Sequence, residues 1–347
     1  MSALNKLKEI SIEVTNKCSQ HCLHCSSMAA VSFDNELSLK EIKDIVSDAK
    51  KLGADSVVLS GGDPLSRGDI KEIIDFARGQ GLSMKIETSG IYNSSGKMSA
   101  IDPSFLDFFS ANLRPKDIIV FSCLGMPETH EKITTVKNSF NYLLNSIKEV
   151  KNKKISVGVN TVVHSLNYNE LIDLYKLLNQ EKIDDWHLLR LVKQGRCEEN
   201  YFLQLTNQQF KELQAALIDL ANQKSSTQIT IGHNIDRRYW LSKHYSIPQC
   251  LIGNDRLLVR ANGDVAYCPA LKYGKFGNIR ENNLHFFWQD HPFVKAVRNL
   301  IKSDPNSLKG KCHNCDLLAS CKGGCVAQRL HEFNDDLWQG PDPMCFR

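Results

Sequence analysis

Clustered cysteines constrain this chain more than any other feature of its sequence. The chain has 12 cysteines among 347 residues, and three of them, Cys18, Cys22 and Cys25, lie within one short stretch near the N-terminus. That N-terminus lacks the apolar core of a signal peptide, and no run of about 18 apolar residues occurs anywhere. We therefore expect a cytoplasmic protein whose thiols stay reduced, with metal binding as the reason for so many cysteines.

The overall composition excludes several classes of protein. Hydrophobic residues make up 42% of the chain and charged residues 24%, which indicates globular domains rather than disorder. The net charge of +4 is spread along the chain, without a long run of lysine or arginine. We therefore expect neither a nucleic-acid partner nor a membrane partner.

Strand-like and helix-like segments alternate through the first two thirds of the chain. Apolar Ile10, Ile12 and Val14 alternate with polar neighbours, which predicts a strand over 9–15. Further strands are predicted at 57–59, 84–87, 118–122, 155–163, 186–191 and 228–231, with helices at 39–52, 70–79, 139–150, 169–179 and 207–222. This order predicts an α/β fold with a parallel sheet, and about six units are too few for a closed eight-stranded barrel. An open, partial (β/α)6 barrel is the expected architecture.

Capping residues mark where several of these helices begin. Ser38 with Glu41, and Asp69 with Glu72, have the spacing of a capping box, and Thr206 precedes the helix at 207–222. Each of these patterns predicts a side-chain hydrogen bond to the first helical turn.

The character of the sequence changes near residue 235. Cysteines, aromatic residues and glycines become denser, so we divide the chain into domains at 1–235 and 236–347. Asn262-Gly263 lies between two apolar runs and predicts a tight hairpin, and 284–301 predicts one or two helices. From Lys309 onward there is little periodicity but many cysteines, so metal must hold this segment together.

The N-terminal cysteines have a spacing that suits a particular metal site. Cys18, Cys22 and Cys25 form C-x3-C-x2-C in the loop after the first predicted strand. A structural zinc site needs four ligands, whereas three thiolates suit a [4Fe–4S] cluster whose fourth iron is open to a small molecule. A zinc site completed by His21 or His24 stays as the alternative.

A glycine loop follows the next predicted strand, with the sequence Gly61-Gly62-Asp63-Pro64. Glycines let a backbone approach a ligand closely, and ligand sites in parallel α/β folds lie at the carboxyl ends of the strands. The cysteine loop and the glycine loop should therefore face each other, although Gly61–Pro64 taken alone is equally typical of a plain turn.

Together these motifs resemble the radical S-adenosylmethionine (SAM) superfamily over roughly the first two thirds of the chain. The cysteine spacing matches the family's cluster motif, and Gly61–Pro64 matches its Gly-Gly-Glu-Pro motif with Asp63 in place of Glu. Glu87–Gly90 and Gly158–Val163 resemble two further strand ends of the family. The resemblance implies that SAM chelates the open iron and that one electron cleaves it to a 5′-deoxyadenosyl radical, which abstracts hydrogen from a substrate.

The same resemblance implies a set of residues that contact SAM. They are His24, Gly61, Gly62, Asp63, Pro64, Glu87, Thr88, Ser122, Asn160 and Arg190. Arg190 is included because His130–Thr134 lacks the arginine of a common family motif; a surface arginine is the other interpretation. Cys123 follows Ser122 and is a hypothetical hydrogen donor to a substrate radical, whereas a small buried hydrophobe is the plainer interpretation of this cysteine.

The later cysteines resemble the SPASM extension of radical SAM enzymes. Its seven positions are filled here by Cys250, Cys268, Cys312, Cys315, Cys321, Cys325 and Cys345. By this resemblance Cys312, Cys315, Cys321 and Cys345 ligate a distal cluster, and Cys250, Cys268 and Cys325 hold a proximal one, for three [4Fe–4S] clusters in all. The region before Cys250 offers His244 but no cysteine, so the proximal cluster is left with an open iron or takes a distant ligand such as Cys197.

SPASM enzymes mostly modify peptides, so the leading hypothesis is a maturase that crosslinks, oxidises or epimerises a ribosomally made peptide. Because the predicted barrel starts near residue 9, we expect a separate precursor-binding protein, direct recognition of the leader peptide, or a small substrate. An external one-electron reductant of the flavodoxin or ferredoxin type is also required. Pro269 stands where anaerobic sulfatase maturases have Asp, which counts against that activity. The alternatives are a small-molecule dehydrogenase or transferase and, in another class, a non-catalytic iron–sulfur carrier or sensor.

Overall fold

The computed structural model describes residues 5–94, 96–222, 227–232, 250, 252–272, 274–302 and 308–345. Its strands are β1 Glu9–Thr15, β2 Ser56–Gly61, β3 Ser83–Thr88, β4 Ile91–Ser94, β5 Lys97–Ala100, β6 Ile118–Ser122, β7 Ser156–Val163, β8 Asp185–Arg190, β9 Gln228–Ile231, β10 Arg256–Val259 and β11 Val265–Ala266.

Helices alternate with most of the strands up to β9, and three further helices follow β11 in the part of the chain that the structure describes. The helices are α1 Leu39–Lys51, α2 Ile70–Gly79, α3 Pro103–Asn112, α4 Pro127–Thr134, α5 Ser139–Asn152, α6 Leu171–Gln180, α7 Arg196–Glu199, α8 Asn207–Ala221, α9 Pro292–Lys302, α10 Leu318–Cys321 and α11 Val326–Glu332. Within the described ranges, no helix is both long enough and apolar enough to cross a membrane.

Nine of the strands form one sheet in the order β11-β10-β1-β2-β3-β6-β7-β8-β9. Every neighbouring pair from β10 to β9 is parallel, and only β11 runs antiparallel, against β10. The strands at the two ends of this order, β11 and β9, are not paired with each other, so the sheet is open. The predicted α/β class and open barrel are confirmed, and the predicted strands differ from the observed ones by at most two residues at either end.

A strand from the C-terminal third extends the barrel sheet. The hairpin predicted around Asn262-Gly263 forms as β10 and β11, and β10 pairs with β1, with Leu257 beside Ile10. Local sequence patterns predicted the hairpin but could not predict this pairing, because its two strands are far apart in the chain. The predicted domain boundary at 235, and His244, lie among residues 233–249, outside the described residues.

The two faces of the central strand β1 differ in chemistry. Ile10, Ile12 and Val14 are fully buried in the apolar core between the sheet and its helices. Glu13 alternates with them and points to the other face, where it pairs with the fully buried Arg260 of the segment after β10. The inner face of the open barrel is therefore lined by balanced charges, and polar chemistry is concentrated there.

The capping predictions were right for two helices and wrong for one. Ser38 and Thr206 each form a complete capping box at α1 and α8. Asp69 makes no capping hydrogen bond at α2. Its carboxylate instead binds the guanidinium of Arg67, at an Nε–Oδ1 distance of 2.5 Å. That guanidinium also donates to the Val14 carbonyl oxygen, so Asp69 orients an arginine that supports the end of β1.

The sequence analysis missed several short elements. The β4–β5 hairpin, α3 and α4 were not predicted: β4, β5 and α4 carry few periodic apolar residues, and the buried Phe105, Leu106 and Phe109 of α3 were not recognised as a helical pattern. Pro103 and Pro127 at the first helical positions of α3 and α4 were the available signals.

The cap of α1 provides a test of this account of the fold. Replacing Ser38 by Ala removes the hydroxyl that accepts the Glu41 N–H, which should cost about 1 kcal/mol and lower the apparent unfolding temperature by about 2 °C. The matched control is Ser47→Ala in the same helix, where the hydroxyl only donates to the Lys43 carbonyl oxygen, so alanine should be neutral or slightly stabilising. The unfolding temperatures are measured anaerobically by circular dichroism. Equal values for Ser38→Ala and wild type would contradict the capping role of Ser38.

Candidate active site

Neighbouring backbone holds the loop that carries the first three cysteines. The Cys18 amide donates to the Ala30 carbonyl oxygen at 3.0 Å, which closes the loop on itself. The Leu23 amide donates to the Ile133 carbonyl oxygen of α4 at 2.9 Å. On the other side the Arg196 amide donates to the Cys25 carbonyl oxygen at 3.1 Å. The loop is therefore positioned by two elements that lie more than 100 residues further along the chain.

The glycine loop lies directly against the start of the cysteine loop, as predicted. The Gly62 amide donates to the Thr15 carbonyl oxygen at 2.7 Å, and the Asp63 amide donates to the Lys17 carbonyl oxygen at 2.8 Å. A Cβ atom at Gly61 would lie 2.3 Å from the Thr15 oxygen, and one at Gly62 would lie 2.3 Å from the Lys17 oxygen. Two glycines are needed because the two backbones touch here.

Asp63 and Pro64 lie behind this contact and are not among the described residues that line the cavity, so their contact with SAM stays a prediction. The buried Asp63 carboxylate accepts hydrogen bonds from the Ser89 hydroxyl at 2.5 Å and the Thr88 hydroxyl at 2.9 Å. Burial raises the pKa of Asp63, and these hydrogen bonds oppose the rise. Asp63 therefore connects the ends of β2 and β3, and Pro64 begins the short helical turn at Pro64–Ser66.

The cysteine loop, the glycine loop and the carboxyl ends of β2, β3, β6, β7 and β8 enclose one cavity. Its volume is about 240 Å³, which is far larger than an ion site needs and leaves space for part of a small molecule. The sequence-predicted residues that line it, besides the three cysteines, are His24, Gly61, Gly62, Glu87, Thr88, Ser122, Asn160 and Arg190. The structure thus brings together eight of the ten residues predicted to contact SAM.

Among the described residues that line this cavity, the buried donors Gln20 Nε2 and Arg190 Nε have no protein partner, and neither have two buried acceptors. The two acceptors are Asn160 Oδ1, at the middle of β7, and His24 Nδ1, in the cysteine loop. Burial and the nearby Arg196 charge lower the pKa of His24 to about 4, so its imidazole is neutral and can accept a hydrogen bond. Buried acceptors of this kind are normally satisfied, so both fit a ligand that carries hydroxyl or amino donors, as SAM does.

Glu87 brings a negative charge to the same cavity. Burial opposes its ionisation, but the Lys85 ammonium at 2.9 Å, together with Arg256 and the Asn160 amide, lowers the pKa of Glu87. Glu87 is therefore a carboxylate inside the open barrel, between the cavity and the charges of β10.

The thiols of the cysteine loop need positive charge. Burial raises the pKa of Cys18 to about 12, the Asp63 carboxylate adds to the rise, and the pKa of Cys22 is raised well above its usual value, mainly by burial. Thiolates at these positions are stable only next to cations, and iron is the cation that a C-x3-C-x2-C loop binds with one coordination position open. The donor set therefore fits a [4Fe–4S] cluster.

Arg196 is a functional candidate that the sequence analysis missed. Its guanidinium donates to the Cys22 carbonyl oxygen at 2.8 Å and to the Ala29 carbonyl oxygen at 3.0 Å, and its charge lowers the pKa of Cys18 and Cys22. The preceding Gly195 has φ +60, and a Cβ there would lie 2.5 Å from the Cys25 carbonyl oxygen. A glycine before an arginine after β8 was the only signal in the sequence.

Arg190 lines the cavity, but its charge is already paired. Its guanidinium binds Asp342 through two hydrogen bonds, at 2.6 and 3.0 Å, and both side chains are almost fully buried. Asp342 also accepts the Cys325 amide at 2.8 Å. Arg190 therefore connects the cavity wall to the C-terminal cysteine segment. The other interpretation, a surface arginine, is wrong because its side chain is buried.

The two unassigned cysteines are both buried in apolar surroundings. On β6, Ser122 faces the cavity, so the next residue, Cys123, points to the opposite side and packs in the main core. Burial raises the pKa of Cys123 to about 12. Its role as a hydrogen donor stays a prediction, and its packing in the core favours the interpretation as a small buried hydrophobe. Cys197 lies in an apolar cluster that packs against Cys22 and Leu23, beside the first cysteine loop, which argues against its ligating a proximal cluster.

The later cysteines form two separate groups, as the SPASM resemblance implied. Cys312, Cys315, Cys321 and Cys345 line one pocket and interact electrostatically with one another. Cys250, Cys268 and Cys325 form the second group, in which burial and the neighbouring thiols raise the pKa of Cys250 to about 12 and of Cys268 to about 11. Among the described residues, no three Cys, His, Asp or Glu side chains have the spacing of a single-ion site.

Family models match both parts of the chain. The radical SAM superfamily model matches residues 12–178, and the iron–sulfur cluster-binding SPASM model matches residues 250–316. The chain belongs to the radical SAM superfamily. It is a radical SAM/SPASM enzyme that uses [4Fe–4S] clusters and SAM, which rules out the alternative of a non-catalytic carrier.

Several curated proteins resemble the chain over nearly its whole length. It is 23% identical to an Fe-coproporphyrin III synthase of Methanosarcina barkeri, over 96% of this chain and 86% of that protein. It is 24% identical to the mycofactocin maturase MftC of Mycolicibacterium smegmatis, over 96% and 81%. Among solved structures, Streptococcus suis SuiB bound to SAM superposes with a TM-score of 0.76 at 18% identity, over 99% of this chain and 78% of SuiB. This radical SAM/SPASM enzyme therefore has relatives that are named for different activities.

The contact between the two loops provides a test of the site. Gly62→Ala puts a Cβ 2.3 Å from the Lys17 carbonyl oxygen, so the loops must separate and SAM binding should weaken at least about tenfold. The control is Gly68→Ala, because a Cβ at Gly68 meets no atom within 4 Å and should change nothing. The SAM affinity of both variants is measured by equilibrium binding to anaerobically reconstituted protein. Unchanged affinity in Gly62→Ala would show that the close contact is not needed.

Proposed function

We propose that this radical SAM/SPASM enzyme modifies a peptide substrate. The observation that carries the proposal is one cavity that joins a three-thiol loop, a glycine loop and two unpartnered buried acceptors, with a further cysteine group on the same barrel. When bound, the cluster and SAM supply one-electron cleavage of SAM and a carbon radical that removes hydrogen from the substrate.

The residues of the cavity would divide the work of holding SAM. Gly61 and Gly62 let the backbone after β2 lie directly against Thr15 and Lys17 at the cavity wall, where this glycine backbone would face the amino end of SAM. Asn160 Oδ1 and His24 Nδ1 would accept hydrogen bonds from its ribose and adenine portions. Arg196 would hold the cysteine loop closed and compensate the negative charge of the thiolates.

The second cysteine group would hold a cluster next to the substrate. Cys250, Cys268 and Cys325 lie around the charged inner face of the barrel, where Arg256 lowers the pKa of Cys250 and Cys268. Three thiolates leave one coordination position of this proximal cluster for the substrate or another ligand. Cys312, Cys315, Cys321 and Cys345 would fully ligate the distal cluster, for three clusters in total.

Charge favours a peptide over a substrate with many carboxylates. The two guanidinium groups that line the cavity are both engaged, Arg190 by Asp342 and Arg196 by backbone carbonyl oxygens. The described cavity wall therefore balances its own charges, which suits a neutral peptide segment. The maturase MftC and a PqqA peptide cyclase of Rhizobium meliloti, 24% identical over 96% of this chain, support this substrate class.

A tetrapyrrole or other small molecule is the second candidate substrate. Several of the relatives are named as haem-pathway synthases, including AdoMet-dependent heme synthases of 22–24% identity over 97% of this chain. In either case we propose an external one-electron reductant of the flavodoxin or ferredoxin type and a cytoplasmic location for the enzyme. A peptide substrate would be recognised directly or through a separate precursor-binding protein.

The cleavage of SAM tests the assignment of the first cysteine loop. Cys18→Ala, Cys22→Ala or Cys25→Ala should each abolish formation of 5′-deoxyadenosine by dithionite-reduced protein, because an incomplete thiolate set cannot hold the cluster. About two thirds of the iron should remain, since the other cysteines are untouched. Cys123→Ala is the control, because its thiol packs in the core and product formation should be unchanged. Full activity in Cys22→Ala would refute the assignment.

The substrate class needs its own experiment. The enzyme is incubated anaerobically with SAM and either the short peptides encoded beside its gene or Fe-coproporphyrin III, and 5′-deoxyadenosine is counted against a blank without substrate. A peptide substrate should raise turnover several-fold, and deuterium from a deuterated peptide should appear in the 5′-deoxyadenosine. Stimulation by the porphyrin alone would overturn the peptide proposal and leave the enzyme class intact.

A further inference from the structure

Arg329 is a fully buried arginine with most of its hydrogen-bonding capacity unused. It lies in α11 with none of its surface exposed. Its Nη1 donates to the carbonyl oxygens of Leu337 at 2.9 Å and Gln339 at 2.6 Å. Its Nε and Nη2 atoms are buried and have no partner within the described part of the chain. Half of the guanidinium therefore faces a space that the protein itself does not fill with acceptors.

The two auxiliary cysteine groups meet at this arginine. Cys325 precedes α11 and lies one helical turn before Arg329, whose amide donates to the Cys325 carbonyl oxygen at 3.0 Å. The distal group is also close to Arg329, as the space beside Gly340 shows. A Cβ placed on Gly340 would lie 2.6 Å from Cys312 Sγ and 3.8 Å from Arg329 Cδ. Arg329 thus lies between a cysteine of the proximal group and a cysteine of the distal group.

A buried guanidinium needs negative charge, because transfer of an unpaired ion from water into a protein interior is strongly unfavourable. Burial lowers the pKa of Arg329, whereas Cys312, Cys325 and Asp342 raise it. Asp342 is already bound to Arg190 by two hydrogen bonds and to the Cys325 amide. A cysteine-ligated iron–sulfur cluster is an anion with sulfur acceptors, and one on each side would meet the requirement.

We propose that Arg329 is a positioning residue shared by the two auxiliary clusters, with its Nε and Nη2 groups donating to their sulfur atoms. This inference rests on the ligand sets in the proposed function. A cation between two clusters stabilises the reduced, more negative state of each, so Arg329 raises both reduction potentials together. Both auxiliary clusters are thereby better acceptors for the electron that remains when a substrate radical is oxidised.

The experiment is a redox titration, monitored by electron paramagnetic resonance, of anaerobically reconstituted full-length enzyme. The auxiliary signals are identified as those that persist in the Cys18→Ala, Cys22→Ala, Cys25→Ala triple variant. Arg329→Met removes the charge and Arg329→Lys retains it. Arg298→Met is the matched control, because Arg298 is also a buried guanidinium whose Nη2 has no partner among the described residues, but it stacks on Trp288 and its Nε donates to the Gly253 carbonyl oxygen.

At the wild-type midpoints, Arg329→Met should lower the ratio of reduced to oxidised cluster about tenfold for both auxiliary clusters. Arg329→Lys should restore most of that ratio, and Arg298→Met should leave it unchanged. Unchanged potentials in Arg329→Met at full iron content would overturn the proposal. So would a shift confined to one cluster.

A purely structural role gives a different result. If Arg329 only supports the carbonyl groups of Leu337 and Gln339, its loss should release the tail that carries Cys345, remove distal iron alone and leave the proximal potential in place. If Arg329→Met loses iron, the Arg329→Lys variant decides between the two roles. Iron content and reduction potentials that are retained in Arg329→Lys support the charge role, whereas a loss of iron equal to that in Arg329→Met refutes it. Wild-type protein that lacks auxiliary clusters or does not cleave SAM would instead refute the proposed function.

Discussion

Charge compensation of buried thiolates is the constraint on which most of this structure depends. Burial raises the pKa of Cys18, Cys22, Cys250 and Cys268, so none of these groups would ionise without nearby cations. The protein places an arginine close to each cysteine group: Arg196 at the first loop, Arg256 near the second group and Arg329 between the second and the third. Iron supplies the rest of the positive charge, so the folding of these segments depends on cluster binding.

The parallel sheet places these groups where one small molecule can reach them. The carboxyl ends of β2, β3, β6, β7 and β8 all open at the same edge, so short loops after five strands share one cavity. The hairpin of β10 and β11 extends the same sheet beyond β1, with Cys268 just after β11. The pairing of β10 with β1 therefore brings the second cysteine group to the barrel that holds the first.

Sequence patterns predicted the chemistry of the site better than its packing. The set of three N-terminal cysteines and the facing of the two loops followed from spacing and strand order, whereas the division of the other seven cysteines into two sets came from the resemblance to SPASM proteins. The placement of Asp63, Pro64 and Cys123 outside the cavity lining was not predicted, because local sequence does not show which side of a loop or strand a residue occupies. Arg196 was missed for a related reason, since a lone arginine after β8 has no pattern of its own.

By itself, the sequence determined the α/β class, the open barrel, the two capping boxes and the ligand character of the cysteine arrays, because all of these depend on periodicity or short spacing. Only the tertiary structure decided that Arg190 is paired with Asp342, that Cys197 packs beside Cys22, and that Arg329 lies between two cysteine groups. Those contacts join residues distant in the chain, and their charges acquire a role only when folding removes them from water.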